Sequence, residues 1–337
     1  MIIILNIISF TFLIYILYYL SSFLNLIDKP NSRKKHIGNI PLIGGLAIYL
    51  NVLIYSFFYD MSYNFSIILY TSSILLILGA IDDSKELGVS FRLVAQLASC
   101  LIIIGSGLMI KDIGDYWLLP NIKIGLLSII FTVFCVIGLT NSFNFIDGID
   151  GLCAGLVLIS LVSIFLFALI ENKIENFYDY KIILLLSISI LCFLVFNLTN
   201  FSKVFLGDSG SMTLGFFLSW ILILITQSEQ PVLHPVLTLW CVTIPVFDLT
   251  TVVIRRILRG INPFRPDRRH VHHILIKLGL SNRTTLIIIL FLSLILNYLG
   301  FIIFYNLGPF PALLSFTILL LFYLFIMISI SRFIYKN

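Results

Sequence analysis

Residues 152–170 read LCAGLVLISLVSIFLFALI, nineteen residues without a charge. At a helical rise of about 1.5 Å per residue, such a run reaches about 30 Å, the thickness of a bilayer's hydrocarbon core. Ten further apolar runs flank it, near 2–24, 42–58, 64–81, 92–110, 122–139, 181–196, 212–227, 235–254, 284–305 and 309–331. Of the 337 residues 60% are apolar and only 11% are charged, and the mean hydropathy is +1.10. A soluble domain carries about 25% charged residues. The chain is therefore predicted to be all-α, a polytopic transmembrane helix bundle of 11 spans that forms one domain over 1–337.

The polar connections fall alternately on two sides. Segments 25–41, 82–92, 140–151, 197–211, 255–283 and 332–337 hold 17 of the 21 Lys and Arg, leaving Lys111, Lys123, Lys173 and Lys181 on the other side. The positive-inside rule makes the first set cytoplasmic, with the N-terminus outside and the C-terminus inside. The run beginning at Met1 has neither a basic flank nor an A-x-A-like cleavage site, so it reads as a retained span rather than a signal peptide. Cys100, Cys135, Cys153, Cys192 and Cys241 lie within apolar runs and form no CxxC pair. They are expected as small core residues, not disulfides or zinc ligands. No run carries a charge near its middle, whereas an ion pathway needs ionisable groups there. The chemistry is expected at the cytoplasmic surface, in loops 25–41, 82–92, 140–151, 197–211 and 255–283.

Asp82 and Asp83 close the third run. A helix C-terminus disfavours carboxylates by up to about 1 kcal/mol, so two adjacent acids there call for a compensating cation, either Arg92 and Lys85 or a divalent metal. Residues 141–151, NSFNFIDGIDG, lead into the sixth run, with Asn144, Asp147 and Asp150 at every third position. On a helix they share one polar face. Simple N-capping would explain the carboxylates; the paired amides and glycines also suit close approach of backbone to a ligand. Residues 207–211, GDSGS, open the eighth run, where small residues would expose N–H groups to a phosphate and Asp208 would hold a magnesium.

The segment 255–273, RRILRGINPFRPDRRHVHH, is the most basic. Pro263 and Pro266 impose an extended approach, Asp267 is a good N-cap and Gly279 a good stop, which predicts a short helix over 268–278. Val271, Ile274, Leu275 and Leu278 would form a stripe for the membrane surface, with His270, His273 and Lys277 opposite and His272 on a flank. The arginines would repel a bare zinc ion and suit an anion with several phosphates, or acidic lipid headgroups. The first inside loop adds Lys35, His36 and the pair Gly44-Gly45.

Taken together, DD at 82–83, the NxxNxxDGxDGL pattern from Asn141 to Leu152, GDxGS at 207–211 and the His-rich loop 263–273 resemble the polyprenyl-phosphate N-acetylhexosamine-1-phosphate transferase family, glycosyltransferase family 4. The first loop and the PFRPDRRHVHH run look most like the branch that loads undecaprenyl phosphate with N-acetylglucosamine-1-phosphate. The resemblance implies eleven spans, an inside-facing site, Mg²⁺ (or Mn²⁺) as cofactor, and attack of the lipid phosphate on UDP-N-acetylglucosamine with release of UMP. UDP-GalNAc is the alternative donor. The Pro-Asp-Arg-Arg run departs from the related muramoyl-pentapeptide transferases and favours an unadorned aminosugar.

On that reading the catalytic carboxylates are Asp82, Asp83, Asp147 and Asp150, with Asp208, Asp82 and Asp83 as metal ligands. Asn144, Lys35, His36, Arg265, His270, His272 and His273 bind the nucleotide or phosphates. The expected partners are UDP-N-acetylglucosamine, undecaprenyl phosphate and the lipid bilayer of a bacterial inner membrane. A homodimer is compatible with this reading, and nucleic acid is not an expected partner. A transporter of an anionic solute or a polybasic scaffold are the rival classes.

Overall fold

A computed structural model describes residues 2–30, 38–117, 122–199, 201–260 and 269–334. Their backbone forms α1 (Ile2–Leu20), α2 (Gly44–Ser56), α3 (Tyr63–Lys85), α4 (Val89–Gly105), α5 (Ser128–Ile146), α6 (Leu152–Ile170), α7 (Tyr180–Leu198) and α8 (Gly207–Gln227). There follow α9 (Pro235–Cys241), α10 (Thr243–Ile257), α11 (Val271–Lys277), α12 (Asn282–Leu307) and α13 (Pro309–Ile334). A small antiparallel ribbon, β1 (Ile27–Asp28) with β2 (Ile40–Pro41), leads into α2. Among the described residues eight helices are long and apolar enough to cross a membrane, and nine if α9 and α10 are one bent span. The protein is an all-α polytopic membrane protein. The α2 and α4 helices, at 13 and 17 residues, are apolar but shorter than those eight.

Each predicted apolar run coincides with a helix, but two runs differ in ways that matter. The fifth begins later, at Ser128, and continues through Asn141 and Asn144 to Ile146. The amides therefore lie on the last turns of α5, not on a helix leading into α6, and the expected common helical face for Asn144, Asp147 and Asp150 does not form. The ninth run is broken by 80° at Val242. Pro245 lacks an N–H and its ring crowds the carbonyl four residues back, that of Cys241. Ser160 Oγ satisfies that carbonyl at 2.7 Å, so the break leaves no bare backbone acceptor there.

The α8 helix lies at the centre, enclosed along its length, packed most closely against α3 and α5. Lipid gives helices no hydrophobic reason to associate, so close packing of small residues must do so. A Cβ on Gly45 of α2 would collide with Gly210, and one on Gly79 of α3 with the backbone of Ser209. Gly215 of α8 meets Thr140 and Phe143 of α5 in the same way. These contacts set α8 at backbone distance from its neighbours and fix where its first turn, bearing Asp208, stands. The cysteines are free and buried or half-buried, as expected of packing residues.

Candidate active site

The connection before α8 is tied to the start of α2. The N–H groups of Gly44 and Gly45 donate to Phe205 and Leu206, and the Phe205 N–H donates to Pro41. The GDSGS turn is thereby held beside the end of α3. Gly207 adopts φ +76°, a left-handed conformation that starts α8 next to the Asp83 carboxylate. Asp83 accepts the N–H of Asp208 at 2.8 Å and that of Ser209 at 3.1 Å. Those donors were expected to meet a phosphate; they are occupied by Asp83 instead. The positive end of the α8 dipole thus offsets the penalty of an acid at the end of α3.

Asp82 is buried and solved differently. Arg92 Nη1 donates to it at 2.8 Å, and the Leu87 N–H binds its other oxygen. The same guanidinium stands 3.9 Å from Asp208. Asn144 Nδ2 donates to Asp208 at 2.7 Å and to Ser211 Oγ at 3.0 Å. Four helices, α3, α4, α5 and α8, therefore meet in one polar knot.

Asp147 follows α5 in a tight inverse γ-turn, with φ −73°, ψ 57° and the Gly148 N–H bonded to the Ile146 carbonyl at 2.8 Å. This turn ends the helix and aims the carboxylate at the knot. Burial raises the Asp147 carboxyl well above the usual range, and the charges of Asp208, Asp83 and Asp150 raise it further. Among the described residues no hydrogen bond or ion pair reaches it. Asp150, by contrast, is paired with Lys203 Nζ at 2.6 Å near the surface.

The α11 helix covers the same turn. His272 is fully buried, neither ring nitrogen has a hydrogen bond among the described residues, and its ring lies against Gly148, where a Cβ would collide with it. Burial pushes its pKa down to about 3, with neighbouring His273 adding to the effect, so the ring is neutral. His273 lies tilted against it by 46° with centroids 4.1 Å apart, and His270 lies parallel to it at 6.0 Å. This corrects the predicted amphipathic arrangement. The helix begins at Val271, buries Val271, His272 and Ile274 inside the bundle beside α12 and α13, and leaves Leu278 exposed.

The structure brings Asp82, Asp83, Asn144, Asp147, Asp150, Asp208 and the three histidines to one end of the bundle. Lys35, His36 and Arg265 lie outside the described residues. Two participants escaped sequence reasoning. Lys203 stands five residues before Asp208, a cation with no obvious reason beyond topology; Asp248 lies inside the ninth apolar run, and no local pattern signals its partner.

Among the described residues no three His, Cys, Asp or Glu side chains form a ready-made metal cage. Zinc is bound by such cages. Magnesium is satisfied by one or two carboxylates, waters and substrate phosphates. The unpartnered Asp147 carboxylate beside Asp208 has the hard oxygen donors and the surplus negative charge that such an ion neutralises.

Comparison with known proteins bears on what this knot does. The model of glycosyl transferase family 4 matches residues 65–226, from α3 to the end of α8. The undecaprenyl-phosphate alpha-N-acetylglucosaminyl 1-phosphate transferase of Escherichia coli K12 is 32% identical over 281 residues, covering 82% of this chain and 76% of that protein. Its namesake from Haemophilus influenzae is 33% identical over 288 residues, covering 83% and 80%. That from Yersinia pestis is 30% identical over 285 residues, covering 83% and 77%. A carboxylate knot at the end of a membrane bundle, matched in this way, defines a membrane-embedded sugar-phosphate transferase. The chain belongs to glycosyl transferase family 4.

Proposed function

We propose that the protein transfers N-acetylglucosamine-1-phosphate from UDP-N-acetylglucosamine to undecaprenyl phosphate at the cytoplasmic face of a bacterial inner membrane. The product is the lipid-linked sugar pyrophosphate that begins a cell-surface polysaccharide. On this reading the eleven apolar runs cross the bilayer with the N-terminus outside, which puts the carboxylate knot and the basic loops inside. The names of the relatives support the substrates. The observation that carries the reading is the unpartnered Asp147 carboxylate set beside Asp208, with Arg92 3.9 Å from Asp208 and Lys203 paired with the neighbouring Asp150.

The physical problem is to join two anions, so positioning and charge neutralisation must dominate. An oxygen of the lipid phosphate forms a bond to the β-phosphorus of the donor, and the bond from that phosphorus to the bridging oxygen breaks, releasing UMP. Lipid phosphate is largely a dianion above its second pKa of about 6, so little base strength is required. Mg²⁺ (or Mn²⁺), held by Asp208 and Asp147, would neutralise the pyrophosphate and the leaving group. Asp82 and Asp83 are engaged elsewhere, by Arg92 and by the α8 backbone, and act by holding that geometry. Arg92 and Lys203 attract the phosphates, and α11 closes over the nucleotide side. The prenyl chain stays in lipid, since withdrawing it costs about 0.8 kcal/mol per CH₂.

The test is UMP release by the detergent-purified chain, with UDP-N-acetylglucosamine and UDP-N-acetylgalactosamine as alternative donors. Release should require both polyprenyl phosphate and the divalent cation. Turnover without the lipid phosphate, or none with either donor, would reject the proposal.

A further inference from the structure

Asp248 lies on α10, just past the break, buried away from the carboxylate knot. Its two oxygens have separate partners. Oδ2 stands 2.6 Å from His270 Nδ1, and Oδ1 accepts the Val271 N–H at 2.8 Å. His270 occupies the N-cap position of α11 but does not cap it with its own side chain. The carboxylate of another helix does so instead. A second tie runs from Arg255 Nη1 to the Arg269 carbonyl at 3.2 Å, and the Phe145 ring of α5 packs against His270 at 5.7 Å. From this clamp α11 carries His272, two residues after His270, against Gly148 and thus behind the turn that aims Asp147.

We propose that Asp248 is a positioning residue, one that sets the tautomer and orientation of His270 and seats α11 on the Asp147–Gly148 turn. This rests on the transferase reading given above. A carboxylate on Nδ1 fixes that nitrogen as the protonated one and leaves Nε2 as the ring's acceptor. The isosteric Asp248→Asn keeps an oxygen for the Val271 N–H but places an amide N–H₂ against His270, which imposes the opposite tautomer.

A double-mutant cycle on the full chain in detergent tests this. Asp248→Asn should lower kcat for UMP release by about 10- to 100-fold, the range seen when a metal-bound histidine loses its orienting carboxylate, taken as the scale for a lost orienting contact. In a His270→Ala background the same change should alter kcat by less than about twofold, because the effect runs through His270. Equal losses in both backgrounds would mean a structural role and overturn the proposal, as would no loss in either.

Val271→Pro removes the backbone arm, puts a ring of similar bulk in place of the buried Val271 side chain, and is compatible with the first helical position and with His270 at φ −71°, ψ 159°. It should lower kcat severalfold without loss of the folded, monodisperse protein; full activity would overturn the clamp. Nitrogen-15 spectra of the histidines, with His270→Gln for assignment, give a readout independent of turnover. His270 should be Nδ1-protonated in the wild type and not in Asp248→Asn, and an Nε2-protonated wild type would sink the idea. A wild-type chain that releases no UMP but shows this signature would reject the transferase reading alone.

Discussion

Asp83 grips Asp208 through the backbone rather than the side chain, accepting the N–H groups of Asp208 and Ser209 at 2.8 and 3.1 Å. The adjacent acid, Asp82, reaches Arg92 instead. Neighbours in sequence, they hold two different elements in place. Asp83→Asn retains an acceptor for one N–H but loses the charge facing the α8 dipole. Stability should fall by about 1 kcal/mol, and UMP release by about 100-fold, the scale expected when the reacting groups are displaced by about 1 Å. A thermal melt beside a turnover assay separates the two losses; unaltered turnover would remove Asp83 from the site.

Gly79→Ala carries no charge change and touches no substrate. Its methyl would run into the backbone of Ser209, which cannot yield as a flexible side chain does. Overpacking of this kind costs about 1 to 3 kcal/mol. Pushing α3 away from α8 should also reduce turnover by about 100-fold, as a displacement of about 1 Å can. Gly105→Ala, which meets nothing within 4 Å, is the control and should leave turnover unchanged.

Arg92→Ala strands Asp82 as a buried carboxylate with only the Leu87 N–H. Loss of one member of such a pair costs about 3 kcal/mol or more. Adding Asp82→Asn should recover much of that stability, because the stranded charge is gone, while turnover remains low. Chemical denaturation in detergent would show the recovery, and its absence would mean that the pair contributes little.

His272 gives a pH signature. Its folded pKa of about 3 lies below the usual 6.5, so the unfolded chain binds the extra proton first. Stability contributed by the neutral buried ring is whole above pH 6.5 and declines as pH falls toward 3. His272→Gln should flatten that acid decline in melts between pH 4 and 7. A wild-type curve with the same slope as the variant would contradict the buried neutral ring.

The bundle was legible because lipid leaves a coarse signature: nineteen uncharged residues at 152–170 admit few other readings. The carboxylate motifs were legible as motifs. What each acid does was not, since that depends on contacts such as Arg92 with Asp82 and Lys203 with Asp150, made between helices whose packing no local pattern encodes. The common helical face expected for Asn144, Asp147 and Asp150 failed because periodicity cannot see a γ-turn at Asp147. His272 was placed on a flank because a seven-residue helix covered by α12 and α13 has no stripe facing lipid. Val242 looked continuous because Pro245 within an apolar run has the same hydropathy whether the helix bends or breaks.

The enclosure of α8 separates the protein into parts with different sensitivity to its surroundings. Mismatch between protein and bilayer thickness is borne by helices that touch acyl chains, such as α1 and α13. A helix with no acyl contact is insulated from that stress, and the carboxylates rooted at its start inherit the insulation. Changing acyl-chain length in reconstituted vesicles should therefore act on delivery of the lipid acceptor, seen in its KM, while the rate of the bound complex stays level.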